Sequence, residues 1–294
     1  MPLDLTADTV TVTEQLVNIF SVSLDEKEIA DQVEESLTGI AHLVVTRRGH
    51  TVIARTDLGR DERVVIAGHI DTVPLNDNLP ARRDEEFLHG LGACDMKAGV
   101  AVALKLAAEL TEPNRDVTYI FYEAEEIEAE HNGLSKLSES DPDLMAADFA
   151  ILMEPSNAVV EAGCQGTMRI DVRLGGERAH SARSWMGDNA IHKAGAEAFL
   201  REFFAGHDVT VTDAAPGALP GLAVPAAAAF LAAVGGEANP KFGWTDVARF
   251  SGLGVPAVNF GPGDPLLAHK QEEHVPFAHI ERCEQQLRTW LGER

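Results

Sequence analysis

Residues 63–71 read RVVIAGHID, and the fold follows from that stretch. RVVIA is a short, nearly continuous apolar run of strand length. A strand without polar alternation is covered on both faces, as in a parallel sheet clothed by helices. VTYIFY at 117–122, FAILM at 149–153 and AVNF at 257–260 have the same character. Between the first two strands lies MKAGVAVALKLAAEL, 96–110, helical in composition and too apolar to face water. Residues 225–234, 245–251 and 276–291 read as further helices. Upstream, 11–37 reads as helix in two pieces, with Ser23 and Glu26 forming an S-x-x-E capping box ahead of Ile29, Val33 and Leu37. Residues 42–47 and 51–55 read as a hairpin around Gly49. Strands alternating with helices predict an α/β fold with a mostly parallel mixed sheet and helices on both faces.

The pattern changes after Gly163. TMRIDVRL at 167–174 and DVTVT at 208–212 alternate apolar and polar residues, as half-exposed strands do. A helix is expected over 189–204, with Asp188 as its N-cap. The expectation is a catalytic domain built from residues 1–164 and 214–294, interrupted at 165–213 by a small α+β insert.

The chain's 47 acidic and 24 basic residues give a formal charge of −23. Such a charge repels nucleic acid and anionic membranes, so neither is an expected partner. Cys94, Cys164 and Cys283 are odd in number and lack CxxC spacing, which fits a reducing, cytoplasmic setting. The acidic N-terminus does not read as a signal peptide, and no apolar run is long enough to span a bilayer.

The chemistry-bearing residues stand mostly where strands end. In open α/β sheets, ligands bind beyond the carboxyl ends of the strands. His69 and Asp71, two apart on an extended segment, face one side. Asp71 is suited to lie behind the imidazole, as carboxylates do behind metal-bound histidines. Asp95, in GLGACDMKAG, stands at a helix entry, where it fits either an N-cap or a ligand. Glu123, Glu125 and Glu126 follow the VTYIFY strand, Glu154 follows FAILM, and His269 comes late. Adjacent buried carboxylates are costly unless paired, and a cation relieves that cost. One glutamate can then ligate while its neighbour works as a base. A mixed set of His, Asp, Glu, Glu and His suits two borderline divalent ions and not calcium, which prefers oxygen throughout.

These motifs resemble those of the dinuclear zinc amidohydrolase and metallopeptidase family that includes aminoacylases, carboxypeptidases and acetylornithine deacetylase. The likeness is carried by AGHIDTVP, GLGACDMKAG, FYEAEEIEAEHNGL, ILMEPS, GERAHSARSWMGDNAIHKA, FGWTDVARF and NFGPGDPLLAHKQEEHV, which occur in the family's order. The resemblance implies two zinc ions, with cobalt a possible substitute. It makes Asp95 the bridging carboxylate, gives His69 and Glu154 to one ion, and gives Glu126 and His269 to the other. Asp71 becomes the partner of His69, and Glu125 the general base. His180 matches a lid histidine that reaches into the neighbouring subunit's site in the family's dimers. Thr245 and Asp246 match positions near the substrate pocket. The implied substrate is an N-acyl amino acid. The RSWMG and FGWTD segments are most similar to the desuccinylase branch; a related deacylase or dipeptidase is the alternative.

One departure stands out. The family's lid is a βαββαβ unit of roughly a hundred residues, an ordinary small-domain size. Here DNAIHKA runs almost directly into AEAFLREFFAGHDVTVTD, and no Asn-Val-Ile-Pro turn occurs. The lid is expected to be shortened to strand, helix, strand. A single crossover helix would return the second strand parallel to the first. The strand at 208–212 must therefore turn around, pair elsewhere or stay loosely held. The expectation is retained metal binding, a weakened homodimer and reduced turnover, with a metal-binding remnant as the extreme case.

Overall fold

A computed structural model describes residues 3–173 and 208–292. It divides into two compact units, residues 1–165 with 217–294, and residues 166–216.

The larger unit is built on an eight-stranded sheet. Its strands are β1 (Val44–Arg48), β2 (Thr51–Arg55), β3 (Arg63–His69), β6 (Asp116–Tyr122), β7 (Phe149–Leu152), β8 (Glu161–Ala162), β11 (Asn239–Pro240) and β12 (Ala257–Asn259). The spatial order is β1-β2-β6-β3-β7-β12-β8-β11. The central run β6-β3-β7-β12 is parallel throughout, while β1 and β2 form an antiparallel hairpin joined to β6. The sheet is thus mixed and α/β in character, as the apolar runs require.

Alternation along each central strand feeds two cores. Val64 and Ile66 of β3 pack on one face with Val117, Tyr119 and Phe121 of β6. Val65 and Ala67 pack on the other with Ile120 and Tyr122. The first face carries the helices α1 (Thr9–Val17), α2 (Lys27–Leu37), α3 (Ala98–Glu109), α5 (Pro225–Val234) and α7 (Phe277–Leu291). The second carries α4 (Gly133–Ser140) and α6 (Val247–Gly252). All of helix α3 but Ala108 and Glu109 is buried, which explains its near-absence of polar side chains. Among the described residues no helix is long and apolar enough to cross a membrane.

A separate three-stranded sheet of β4 (Arg82–Arg83), β5 (Phe87–His89) and β13 (His274–Pro276) runs in the order β13-β5-β4. In the smaller unit, β9 (Thr167–Arg173) and β10 (Asp208–Ala215) pair antiparallel, from Thr167 opposite Ala215 to Arg173 opposite Asp208, with a register shift between Val211 and Asp213. Of the three arrangements open to the second strand, the chain adopts the turned-around one. The helix expected over 189–204, and Asp188, lie outside the described residues.

The expected capping box is absent. Helix α2 starts at Lys27 with no side-chain cap bond. The Ser23 hydroxyl instead donates to Asp71 at 2.7 Å, and Glu26 accepts from the amides of Leu24 at 2.9 Å and Ala124 at 3.1 Å. Tertiary partners with a fixed geometry have displaced a local motif that the pattern alone favours.

Two glycines decide how closely the site's supports approach one another. A Cβ at Gly99, in the first turn of α3, would lie 2.3 Å from the Met153 carbonyl oxygen; one at Gly261 would lie 2.2 Å from the same atom. The backbone that delivers Glu154 is gripped from both sides at a separation only glycine permits. Gly99→Ala should therefore destabilise the protein by about 1–3 kcal/mol, the usual cost of overpacking, measured by urea denaturation of the metal-free protein.

Candidate metal centre

Strands β6, β3 and β7 are parallel neighbours, so their carboxyl ends coincide. That places His69 at the end of β3, Glu125 and Glu126 just beyond β6, and Glu154 just beyond β7. Asp95 sits at a kink in the segment Ala93–Lys97 that leads into α3, with a non-helical backbone of φ −119° and ψ 89°. His269 reaches in from the loop ahead of β13.

The Asp95 carboxylate lies between two imidazoles. Its Oδ1 is 3.1 Å from His69 Nε2 and its Oδ2 3.3 Å from His269 Nε2. His269 Nε2 also lies 3.0 Å from Glu126 Oε2. Ligand atoms of His69, Asp95 and Glu126 fall within 4.8 Å of one another. His69 is fully buried, whereas the His269 side chain is 53% exposed, so the site has a closed end and an open end.

Asp71 is fully buried, and its connections are wider than the H-x-D spacing implies. His69 Nδ1 is 3.1 Å from the Asp71 main-chain oxygen and 3.4 Å from its carboxylate. The carboxylate accepts from the Glu125 amide at 3.0 Å and the Glu126 amide at 3.2 Å, besides the Ser23 hydroxyl. One aspartate thus orients both a histidine and the two-glutamate loop. That loop turns through Ala124, which holds a left-handed φ of 56°. The Glu26 contact to the Ala124 amide braces the turn. The acidic run after β6 signalled the loop, but no local pattern pointed to Glu26 as its support.

The electrostatics follow from burial among like charges. Burial pushes the Glu154 carboxyl up to about 8, aided by the neighbouring Asp95 charge. Burial also drives Glu125 well up, with Glu154 and Asp246 adding repulsion, and raises Glu126. Burial disfavours the His69 imidazolium, but Asp71 and Asp95 outweigh it and raise His69 well above the usual range. Hydrogen bonds to Asp95 and Glu126 lift His269 to about 10. Burial resists ionisation of Asp95, yet the two histidines hold its carboxyl below the ordinary value.

The donor set fits divalent cations. Glu154 Oε1 is buried with no hydrogen-bond partner among the described residues. Two imidazole nitrogens and several carboxylate oxygens converge, the mixed donors that zinc-like ions accept. His69, Asp95 and Glu126 would form the centre, with Glu154 and His269 flanking it.

The remaining sequence-derived positions are more varied. Thr245 is buried with an unpartnered hydroxyl oxygen among the described residues. Asp246 is fully buried; it accepts from Asn132 Nδ2 at 2.9 Å and pairs with Arg249. His180 lies outside the described residues. Two residues passed over by the sequence reading stand nearby. Asn259, fully buried at the end of β12, has both amide atoms unpartnered among the described residues. Lys97 is buried, with its amine donating to the Ile19 carbonyl oxygen at 2.8 Å, and burial lowers it to about 7 against the opposing charges of Glu273 and Asp71.

Residues 65–292 match peptidase family M20/M25/M40. The chain belongs to that family. It is 44% identical to the putative succinyl-diaminopimelate desuccinylase DapE of Mycobacterium tuberculosis, an alignment covering 99% of each chain. It is 39% identical to the succinyl-diaminopimelate desuccinylase of Corynebacterium glutamicum, covering 99% of this chain and 98% of that one. The first alignment extends over 352 positions and exceeds the 294 residues of this chain by 58, so this chain is the shorter of the two. Among solved structures, the fold is similar to an M20 family metallo-carboxypeptidase from Sulfolobus solfataricus, with a TM-score of 0.80 at 13% identity, covering 97% of this chain and 98% of that one. It is also similar to a dinuclear metal binding M20 peptidase of Bacillus subtilis, with a TM-score of 0.68 at 17% identity over 96% of each.

Protons on His269 and Glu154 must leave before these groups ligate a cation. Both groups titrate above 7 in the metal-free protein, so metal loading at pH 7 should release protons and affinity should fall as pH drops. Calorimetric titration of zinc in buffers of differing ionisation enthalpy measures the number released; a value of zero contradicts the arrangement.

Proposed function

We propose that this chain is a two-zinc amide hydrolase that converts N-succinyl-LL-2,6-diaminopimelate and water to succinate and LL-diaminopimelate. The observation that carries the reading is Asp95, with one carboxylate oxygen directed to each of two imidazoles, beside a glutamate pair on a braced loop. The relatives named desuccinylase select the substrate within the family.

His69, Asp95, Glu126, Glu154 and His269 would hold the two ions, with Asp95 shared. Bound zinc supplies Lewis acidity toward an amide carbonyl and makes water nucleophilic at neutral pH. Glu125 is the general base: it takes the proton from the attacking water and returns it to the leaving amine nitrogen. Burial raises its affinity for a proton and nearby cations lower it, so the two effects together poise it for transfer in both directions. Asp71 holds the Glu125 amide and the His69 ring, keeping base and ligand in register. Thr245 and Asp246 are assigned to the substrate side; His180, a lid histidine by resemblance, lies outside the described residues. Three free cysteines suit a reducing cytoplasm.

The residues that the longer relative has and this chain lacks are assigned to the middle of the insert. Without them the lid-mediated dimer is weakened, and light scattering of the zinc-loaded protein should return the mass of one chain, 31.6 kDa. A stable dimer formed through the insert would contradict this assignment.

The glutamate pair separates by role. Glu125→Ala should retain two ions per chain while kcat falls about 10²–10⁴-fold, the usual cost of losing a general acid/base. Glu126→Ala should lose metal first. Elemental analysis with succinate release from N-succinyl-diaminopimelate, run beside N-acetyl amino acids and dipeptides, tests both roles and the substrate. Cleavage confined to the acetyl or dipeptide substrates would move the reading to the deacylase or dipeptidase branch.

A further inference from the structure

Glu273 stands four residues after His269, in the loop leading into β13, and is 1% exposed. Its carboxylate faces main-chain donors. Oε1 accepts from the Cys94 amide at 2.9 Å and the Asp95 amide at 3.1 Å, and Oε2 accepts from the Gly92 amide at 3.1 Å. Its own carbonyl oxygen accepts from the Gly90 amide at 3.1 Å. Four amides of the segment 90–95 therefore end on one residue. Gly92 reaches it from a left-handed φ of 75°, where a Cβ would lie 2.8 Å from Thr72 Cγ2.

We infer that Glu273 is a positioning residue for the reaction: it fixes the main chain at Asp95 so that the shared carboxylate is aimed at both histidines before metal arrives. The inference rests on the reading of Asp95 as a metal ligand. Glu273 holds the amide of Asp95 itself, so a shift of the clamp moves the ligand directly. It also stands on the loop that carries His269, and so ties the two ligands together across 174 residues of chain. A carboxylate is the side chain that does this, because three amides need two acceptor oxygens. Glutamine offers one, and its NH₂ group would meet the Gly92 amide donor to donor. Aspartate keeps both oxygens but is shorter by one methylene.

Glu273→Gln and Glu273→Asp test the role in the full-length chain, with zinc and cobalt as the titrants. Glu273→Gln should weaken metal affinity about 10–100-fold, the usual effect of removing a group behind a metal ligand. It should also change the visible absorption of the cobalt-loaded protein and lower kcat with KM for N-succinyl-diaminopimelate little altered. Glu273→Asp should lie between Glu273→Gln and the parent. Glu273→Gln with the parent's metal affinity, cobalt spectrum and kcat overturns the inference. A parent protein that binds no metal overturns instead the reading of Asp95 on which it rests. Should Glu273→Gln fail to fold, hydrogen exchange in the metal-free parent decides: the Gly92, Cys94 and Asp95 amides should be protected, and rapid exchange overturns the clamp.

Discussion

Taking a carboxylate out of water costs several kcal/mol unless something answers its charge, and this protein does so repeatedly at one end of its sheet. Asp71, Asp95, Glu26, Glu126, Glu154 and Glu273 are buried or nearly so within a few loops. They are answered in two ways. Asp71, Glu26 and Glu273 accept main-chain amides, which stabilise the ionised form with no cation. Asp95 and Glu126 lean on imidazoles, and Glu154 keeps an oxygen with no partner among the described residues. The first group is satisfied by the fold, whereas the second is satisfied only at the cost of extra protons. That division runs parallel to the proposed one between supports and ligands. Burial still raises Glu26, and Glu273 to about 7, so the amide donors offset only part of its cost there.

The sheet makes this concentration possible. Parallel strands end together, so residues far apart in sequence arrive at one rim without long loops. Register does the rest: His69 pairs with Tyr122, so the residues that follow β6 emerge beside the histidine. Gly99 and Gly261 then draw α3 and the β12 loop against Met153. Asp95, ahead of α3, and Glu154, beyond β7, are thereby held close enough for their charges to interact. A larger side chain at Gly99 would press on Met153, and one at Gly261 would also meet the Glu154 carbonyl oxygen, 2.5 Å from its Cβ.

The central strands were legible because burial on both faces leaves an unmistakable apolar run, and the residues at their ends followed at once. The strand boundaries made His69, Glu125, Glu126 and Glu154 candidates, and the family resemblance, not the pattern, supplied their roles. The short strands β4, β5 and β13 were not legible, since two or three residues carry no period. The Ser23–Glu26 pattern misled for a related reason. A capping box is a local signal, and the same two side chains found firmer acceptors and donors in Asp71 and the Ala124 amide. Glu273 was hidden within KQEEH, where its neighbour Glu272 is exposed and the composition reads as a solvated charge run. Nothing in a sequence marks which of two adjacent glutamates will turn toward amides 180 residues away.

The insert shows the opposite balance of local and global forces. A strand, one crossover helix and a second strand would make a parallel pair, yet β9 and β10 run antiparallel over their whole described length. Antiparallel pairing lets each strand meet the other directly, with hydrogen bonds perpendicular to the chain, and is slightly more stable per residue than the parallel form. The alternating pattern of both strands suits it as well, because such a pair needs cover on one face only. A pair of strands gains little stability in isolation, so the direct pairing of the two strands carries most of the order that this unit shows. Direct strand-to-strand pairing, rather than the sense a single crossover helix would impose, thus decides the arrangement of β9 and β10.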